Sequence, residues 1–205
     1  MKTGTTTVGI KCKDAIILAA DKRATAGTFV VNKDIDKVMP INDRMALTVA
    51  GTVSDIQLLA KLLKAELKLK EIRSNRKNTV KEAANLLAGM VYGNIRQFST
   101  IPGISHFLFG GYDGNCSLYD IYPDGSISDI SNFVSTGSGS MFAYGVLEAQ
   151  YKENMTEEQG VQLALKAINS ALQRDSASGN GIDVISITKD GVKKVEQKII
   201  NTGIY

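Results

Sequence analysis

Apolar and polar positions along the chain alternate between two periods, and the changes of period mark out its elements. Residues 5–10 open with β-branched side chains, residues 15–20 form a short apolar run, and residues 28–31 and 45–50 continue in the same manner. That pattern predicts strands. Gly9, the Lys13-Asp14 pair and the Asn42-Asp43 pair punctuate them as turns. After Ala50 the period lengthens. Ser54, with Gln57 three positions on, reads as a capping box, and Ile56, Leu59, Ala60, Leu63 and Leu67 recur behind it at helical spacing. Thr79 and Glu82 repeat the capping signature and predict a second helix reaching about Gln97.

Strands return over residues 106–112 and 117–122, followed by the Asp124-Gly125 turn of a hairpin. A third helix is expected from Ser140 through Val146 and Leu147. A fourth begins at Thr156, capped with Gln159, along a stripe of Val161, Ala164, Leu165, Ile168 and Leu172. Residues 183–188 and 192–199 close the chain as strands around a Lys189-Asp190-Gly191 turn. Segregated runs of strands and helices argue for an α+β fold with antiparallel sheets rather than alternating βαβ units. About ten strands and two helix pairs suffice for two stacked sheets, with one helix pair outside each. Without a linker or an internal repeat, the 205 residues form one domain.

Composition narrows the chemistry mainly by exclusion. A net charge of +3 is too small to call for nucleic acid or an anionic membrane. No run reaches the roughly 18 apolar residues of a membrane helix. Met-Lys-Thr-Gly is not a signal peptide, so a cytoplasmic location is expected. Cys12 and Cys116 are too few for a disulfide scaffold and are expected as reduced, buried, apolar-like residues. The basic stretch containing Lys61, Lys64, Lys68, Lys70, Arg73, Arg76 and Lys77 is interrupted by Glu66 and Glu71 and falls between the stripe positions, as a solvated helix face does. His106 is the single histidine and opens an apolar strand, where a structural role fits better than a catalytic triad. No metal-ligand spacing, Walker loop or dinucleotide fingerprint is present, so no metal or cofactor is expected.

An enzyme with these residues must work without histidine or metal. An N-terminal threonine can, because its own α-amine, with a reference pKa of about 7.7–8.0, serves as base for its hydroxyl. Thr5-Thr6-Thr7 follow Gly4, and exposing Thr5 would take a cut between Gly4 and Thr5.

Collinear motifs run along nearly the whole chain: Gly4-Thr5-Thr6-Thr7-Val8-Gly9, Ala20-Asp21-Lys22-Arg23, Lys37-Val38, Val49-Ala50-Gly51, Gly137-Ser138-Gly139-Ser140 with Tyr144-Gly145-Val146-Leu147-Glu148, and Arg174-Asp175-Ser176-Ala177-Ser178-Gly179. In these the chain closely resembles archaeal proteasome β-subunits. The resemblance implies the four-layer αββα sandwich of N-terminal nucleophile hydrolases, with residues 1–4 a short propeptide and residues 5–205 the catalytic domain. It makes Thr5 the nucleophile and Lys37, braced by Asp21, an ammonium beside it. It sets Ser138, Asp175 and Ser178 around the freed amine, and the Gly51 N–H in an oxyanion hole.

Thr25, with Gly51, would pair with the substrate backbone. Ala24, Ile35, Met39, Val49 and Val53 would line an apolar pocket for the residue before the cut, implying cleavage after hydrophobic residues. Implied partners are proteasome α-subunits in an α7β7β7α7 barrel, neighbouring β-subunits met through the helix pairs, an ATP-driven unfoldase and unfolded polypeptides. Two other readings stay open: an unprocessed, non-catalytic structural β-ring subunit, and a small-molecule amidase of the same nucleophile type. Whether Lys37 also relays the proton is likewise open.

Overall fold

A computed structural model describes residues 4–99 and 103–199. Of the expected propeptide, only Gly4 is among them. In chain order the strands and helices are β1 (Thr6–Lys11), β2 (Ile16–Asp21), β3 (Ala24–Ala26), β4 (Phe29–Asn32), β5 (Val38–Pro40), β6 (Met45–Gly51), α1 (Val53–Ser74) and α2 (Val80–Ile95). There follow β7 (Ser105–Tyr112), β8 (Cys116–Ile121), β9 (Ile127–Asp129), β10 (Phe133–Gly137), α3 (Ser140–Gln150), α4 (Glu157–Arg174), β11 (Gly181–Thr188) and β12 (Gly191–Ile199).

Two antiparallel five-stranded sheets, ordered β10-β1-β2-β11-β12 and β5-β6-β7-β8-β9, stack face to face, and β3 and β4 form a separate hairpin. Burial on both faces explains the unbroken apolar run of β2. Ile16, Leu18 and Ala20 meet Ala46, Leu108 and Leu118 between the sheets, while Ile17 and Ala19 face Ala164, Ala167 and Ile168 of α4. On the other side, Leu47, Val49, Phe107 and Phe109 pack under α1 and α2. The architecture is the expected αββα sandwich.

The predicted stripe of α1 is the buried one: Ile56, Leu59, Ala60, Leu63 and Leu67. Each fully enclosed leucine there contributes roughly 1.5–3 kcal/mol. Thr79 with Glu82 and Thr156 with Gln159 form complete capping boxes.

Five expectations need correction. The cap of α1 is Thr52, in extended conformation and without a side-chain cap bond, so Ser54 and Gln57 form no capping box. On α4 the expected Val161, Ala164 and Ile168 are buried, but Leu165 and Leu172 sit at the margin, and Gly160, Leu163, Ala167 and Ala171 complete the face, the small residues letting the helix lie close on β1 and β2. Helix α2 ends at Ile95, not near Gln97. Among the described residues twelve strands occur rather than about ten, the unforeseen ones being β3, β5, β9 and β10. Cys12 is buried as expected, whereas Cys116 is only half-buried; both are free.

Candidate active site

Strand pairing delivers the first residues to one another. Antiparallel β1 and β2 set Thr7 opposite Ala20, so Asp21 arrives beside Thr6 and accepts its N–H at 3.0 Å. On the other edge of β1, Thr6 lies opposite Gly137, which brings Ser138 alongside Thr5. Lys37 comes from the irregular stretch before β5, its carbonyl held at 3.0 Å by the Val49 N–H of β6.

Thr5 is buried. Its hydroxyl donates to the Gly4 carbonyl at 2.6 Å, and Lys37 Nζ reaches the same oxygen at 3.5 Å. Lys37 also donates to Asp21 Oδ1 at 2.7 Å. Asp21 is fully enclosed and accepts from the Thr6, Arg23 and Gly179 N–H groups as well, at 3.0, 3.0 and 2.9 Å. These donors fix the carboxylate, and through it the ammonium. Burial pushes the Lys37 ammonium below the ordinary lysine range, although Asp21 pulls the other way. The carboxylate alone would have favoured a firmly charged lysine; desolvation is the larger effect.

A second polar chain leads away from the Thr5 nitrogen. The Thr5 N–H donates to Ser138 Oγ at 3.2 Å, and Ser138 Oγ donates to Asp175 Oδ2 at 2.6 Å. Ser178 Oγ donates to the same carboxylate oxygen at 2.7 Å and meets Thr6 Oγ1 at 2.7 Å. Ser138 thus touches the nitrogen directly, Asp175 reaches it through Ser138, and Ser178 is bonded to the neighbouring threonine. Asp175 caps α4 and its own N–H bonds back to Ala171 at 2.7 Å, so the end of the helix and the site are the same residues.

The Gly4–Thr5 junction borders a cavity of ≈ 110 Å³. Ala24, Thr25, Ile35, Met39, Val49 and Val53 line it with Lys37 and Gly51. Every residue singled out for the substrate pocket is therefore at this cavity. Gly51 sits at φ +132°, and a Cβ there would run into the Ile104 carbonyl, so β6 ends on a residue that only glycine fills without strain.

Several contributors escaped the sequence. Asp36, Ile56 and Gln57 also line the cavity. Arg23 donates to Asn180 Oδ1 at 2.7 Å and to the Ser176 carbonyl at 2.9 Å, holding the loop that carries Asp175 and Ser178. Its only sequence signal was a place in the Ala20–Arg23 motif. His106 pairs with Asp120 at 2.6 Å and lies against Tyr122, joining β7 to β8 as a structural residue would. Among the described residues no group of three or more potential metal ligands occurs, and no helix is long and apolar enough to cross a membrane.

Comparison with known proteins gives a consistent family. A family model described as "Proteasome subunit" matches residues 1–187. The chain is 46% identical over 199 residues to "Proteasome subunit beta" of Archaeoglobus profundus, covering 97% of this chain and 91% of that protein. It is 45% identical over 204 residues to the protein of the same name from Methanocaldococcus fervens, covering 97% and 89%. For that of Methanococcus maripaludis strain C5 the identity is 43% over 192 residues, covering 93% and 86%.

Proposed function

The chain belongs to the proteasome subunit family, and on that premise we propose that it is a threonine-type endopeptidase of the 20S core, activated when Thr5 cuts its own Gly4–Thr5 bond. The observation that carries this is a single cluster at the mouth of an apolar cavity: the Thr5 hydroxyl 2.6 Å from the Gly4 oxygen, Lys37 at 3.5 Å from that oxygen, and Asp21 behind Lys37 at 2.7 Å.

Activation begins when Thr5 Oγ attacks the Gly4 carbonyl carbon. Negative charge gathers on the Gly4 oxygen, where the Lys37 ammonium neutralises it in surroundings of low dielectric. The hydroxyl proton ends on the departing Thr5 nitrogen, leaving an ester between Gly4 and Thr5 Oγ. Water hydrolyses that ester, giving a Gly4 carboxylate and a free α-amine. Gly4 suits the step because a Cβ would fall on that of Ala177, so only glycine lets the carbonyl approach this closely. In turnover the new amine takes the hydroxyl proton, held by Ser138 and Asp175, while a substrate carbonyl occupies the former place of Gly4. The apolar lining favours cleavage after hydrophobic residues.

Weak sequence selectivity suits unfolded polypeptides enclosed in an α7β7β7α7 barrel fed by an ATP-driven unfoldase in the cytoplasm. Exposed apolar residues on α1 (Leu58, Leu62, Leu69 and Ile72) and α3 (Met141 and Phe142) suit contacts with neighbouring subunits.

Intact-mass measurement after mixing with α-subunits tests the proposal. Loss of residues 1–4, followed by covalent labelling of Thr5 by an epoxyketone or a β-lactone, is expected; Thr5→Ala should undergo neither. Labelling that persists in Thr5→Ala would remove Thr5 as nucleophile. A wild-type subunit that assembles and never shortens would instead be a structural member of the ring.

A further inference from the structure

Lys22 is among the largest fully buried side chains of the described residues and carries a charge, with 1% of its surface exposed. The side chain is enclosed, but its ammonium ends among three carboxylates, two of which face solvent. Its Nζ is 2.6 Å from Asp34 Oδ1, 3.2 Å from Asp183 Oδ2 and 3.8 Å from Asp36 Oδ1. Burial works against its charge, but Asp34 and Asp183 outweigh it and hold the ammonium above the ordinary lysine range.

The cluster is lopsided. Asp183 is buried on β11 and faces Lys194 at 3.1 Å with its other oxygen, whereas Asp34 and Asp36 are 68% and 71% exposed. Loss of the Lys22 charge would therefore leave Asp183 with Lys194 3.1 Å from its other oxygen, and release Asp34 and Asp36, which already face solvent. Replacing such a buried ion pair by an apolar isostere is commonly near neutral for stability. Stability alone is thus a poor reason for a lysine here.

Its position supplies a better one. Residues 33–37 form neither strand nor helix, yet they carry Ile35 into the cavity and Lys37 to the Gly4 carbonyl. Their backbone is tied by the Ile35 N–H to the Lys22 carbonyl at 3.1 Å, and the Lys22 N–H bonds to the Gly179 carbonyl at 3.1 Å, next to Ser178. Backbone and side chain of this one residue join the cavity wall, the stretch bearing Lys37 and the loop bearing Ser178.

We infer that Lys22 is a positioning residue: its ammonium, braced on Asp183, pins Asp34 and Asp36 and so sets where residues 33–37 present Ile35 to the substrate side chain and Lys37 to the reacting oxygen. The inference rests on the threonine-peptidase reading above. A displacement of about 1 Å in such a constellation costs on the order of 100-fold in rate.

In the assembled particle, Lys22→Met and Asp34→Asn should each lower kcat by about tenfold or more, with KM for a peptide cleaved after a hydrophobic residue rising in parallel. Asp34→Glu should recover most of the loss. A purely structural lysine would shift the melting temperature and leave the kcat and KM of the folded enzyme alone. Values of kcat within about twofold of wild type for both variants, a barrier change well under one tenfold step, overturn the inference. If Lys22→Met fails to assemble, Asp34→Asn decides alone, because that side chain faces solvent. A wild-type particle whose Thr5 resists an epoxyketone would sink the peptidase reading as well; a labelled wild type with unaffected variants sinks only the role of Lys22.

Discussion

At the cavity, Lys37 meets Asp21 with 6% and 0% of the two side chains exposed; where α2 begins, Arg76 of the preceding turn meets Glu82 of the helix with 53% and 30% exposed. Both pairs are close, and the second has the better geometry, two parallel hydrogen bonds between guanidinium and carboxylate. Their consequences differ. Burial lowers the proton affinity of Lys37 in spite of its carboxylate. In the open turn little is desolvated, and hydrogen bonds from Arg76 and the Thr79 backbone hold the Glu82 carboxyl down at about 2. On the proposed mechanism, then, contact geometry does not separate a reactive pair from a stabilising one; the loss of water does, because only in low dielectric does a nearby charge act strongly on a developing oxyanion.

The largest expected effect of breaking this contrast is on Lys37. Lys37→Met should lower kcat of the assembled enzyme by about 100-fold or more, the scale of losing one preorganised oxyanion partner. Stability should fall, because the enclosed Asp21 loses its counter-ion, while the Thr6, Arg23 and Gly179 N–H donors still hold the carboxylate in place. The direction of the Lys37 shift also sets a pH dependence: activity that needs the ammonium should fall on the alkaline side at a pH below the roughly 10.4 of free lysine. Fluorogenic peptide hydrolysis across pH measures both, and retention of most of the wild-type kcat by Lys37→Met would assign the charge no part in the chemistry.

A smaller effect is expected at Gly51. Gly51→Ala combines a φ of +132° with a Cβ directed at the Ile104 carbonyl, a cost of about 1–3 kcal/mol for a non-glycine residue held there. A lower melting temperature and a raised KM are expected together, because the same residue ends β6 and borders the cavity. An unchanged KM would mean that β6 absorbs the strain away from the site.

The same division between burial and exposure explains what was legible in sequence. Helix α1 could be read because its five buried residues repeat at helical spacing; β2 could be read because both its faces are covered. On α4, Val161, Ala164 and Ile168 could be read, whereas Gly160, Ala167 and Ala171 were missed because buried glycine and alanine carry little hydrophobic signal beside leucine. Short β3, β5 and β9 have no room for alternation, and β10 is Phe-Val-Ser-Thr-Gly, whose Ser135 and Thr136 spend their hydroxyls on Thr7 rather than on water. Thr79 and Thr156 cap as read, whereas the α1 start is set by the end of β6 at Gly51, which no local signature reports. In the site, β1–β2 pairing could have brought Asp21 near Thr5 from register alone. Lys37, Asp175 and Ser178 come from an irregular stretch and a helix end; family likeness singled them out, and their placement is a tertiary result. Lys22 read as part of a polar turn because its three carboxylates are distant in sequence or on irregular backbone.

The smallest expected effect lies at the exposed pair. Glu82 serves two bonds, accepting from the Thr79 N–H at 3.0 Å and from Arg76. Glu82→Gln keeps an acceptor for the cap and removes the charge, so the expected loss is that of an exposed ion pair, roughly 0.2–1 kcal/mol. The sign with pH is fixed by the direction of the shift. The folded carboxyl is held at about 2, below the ordinary glutamate value of about 4.3. The contribution is therefore complete above the ordinary value and is lost as pH falls from there through the folded value. Melting curves of wild type and Glu82→Gln should differ slightly at neutral pH, converge on acidification through that window, and converge also at high salt, where exposed charges are screened. A gap that persists in high salt would be a difference in the cap rather than in the charge, and it would place Glu82 with the other capping residues instead of opposite Lys37.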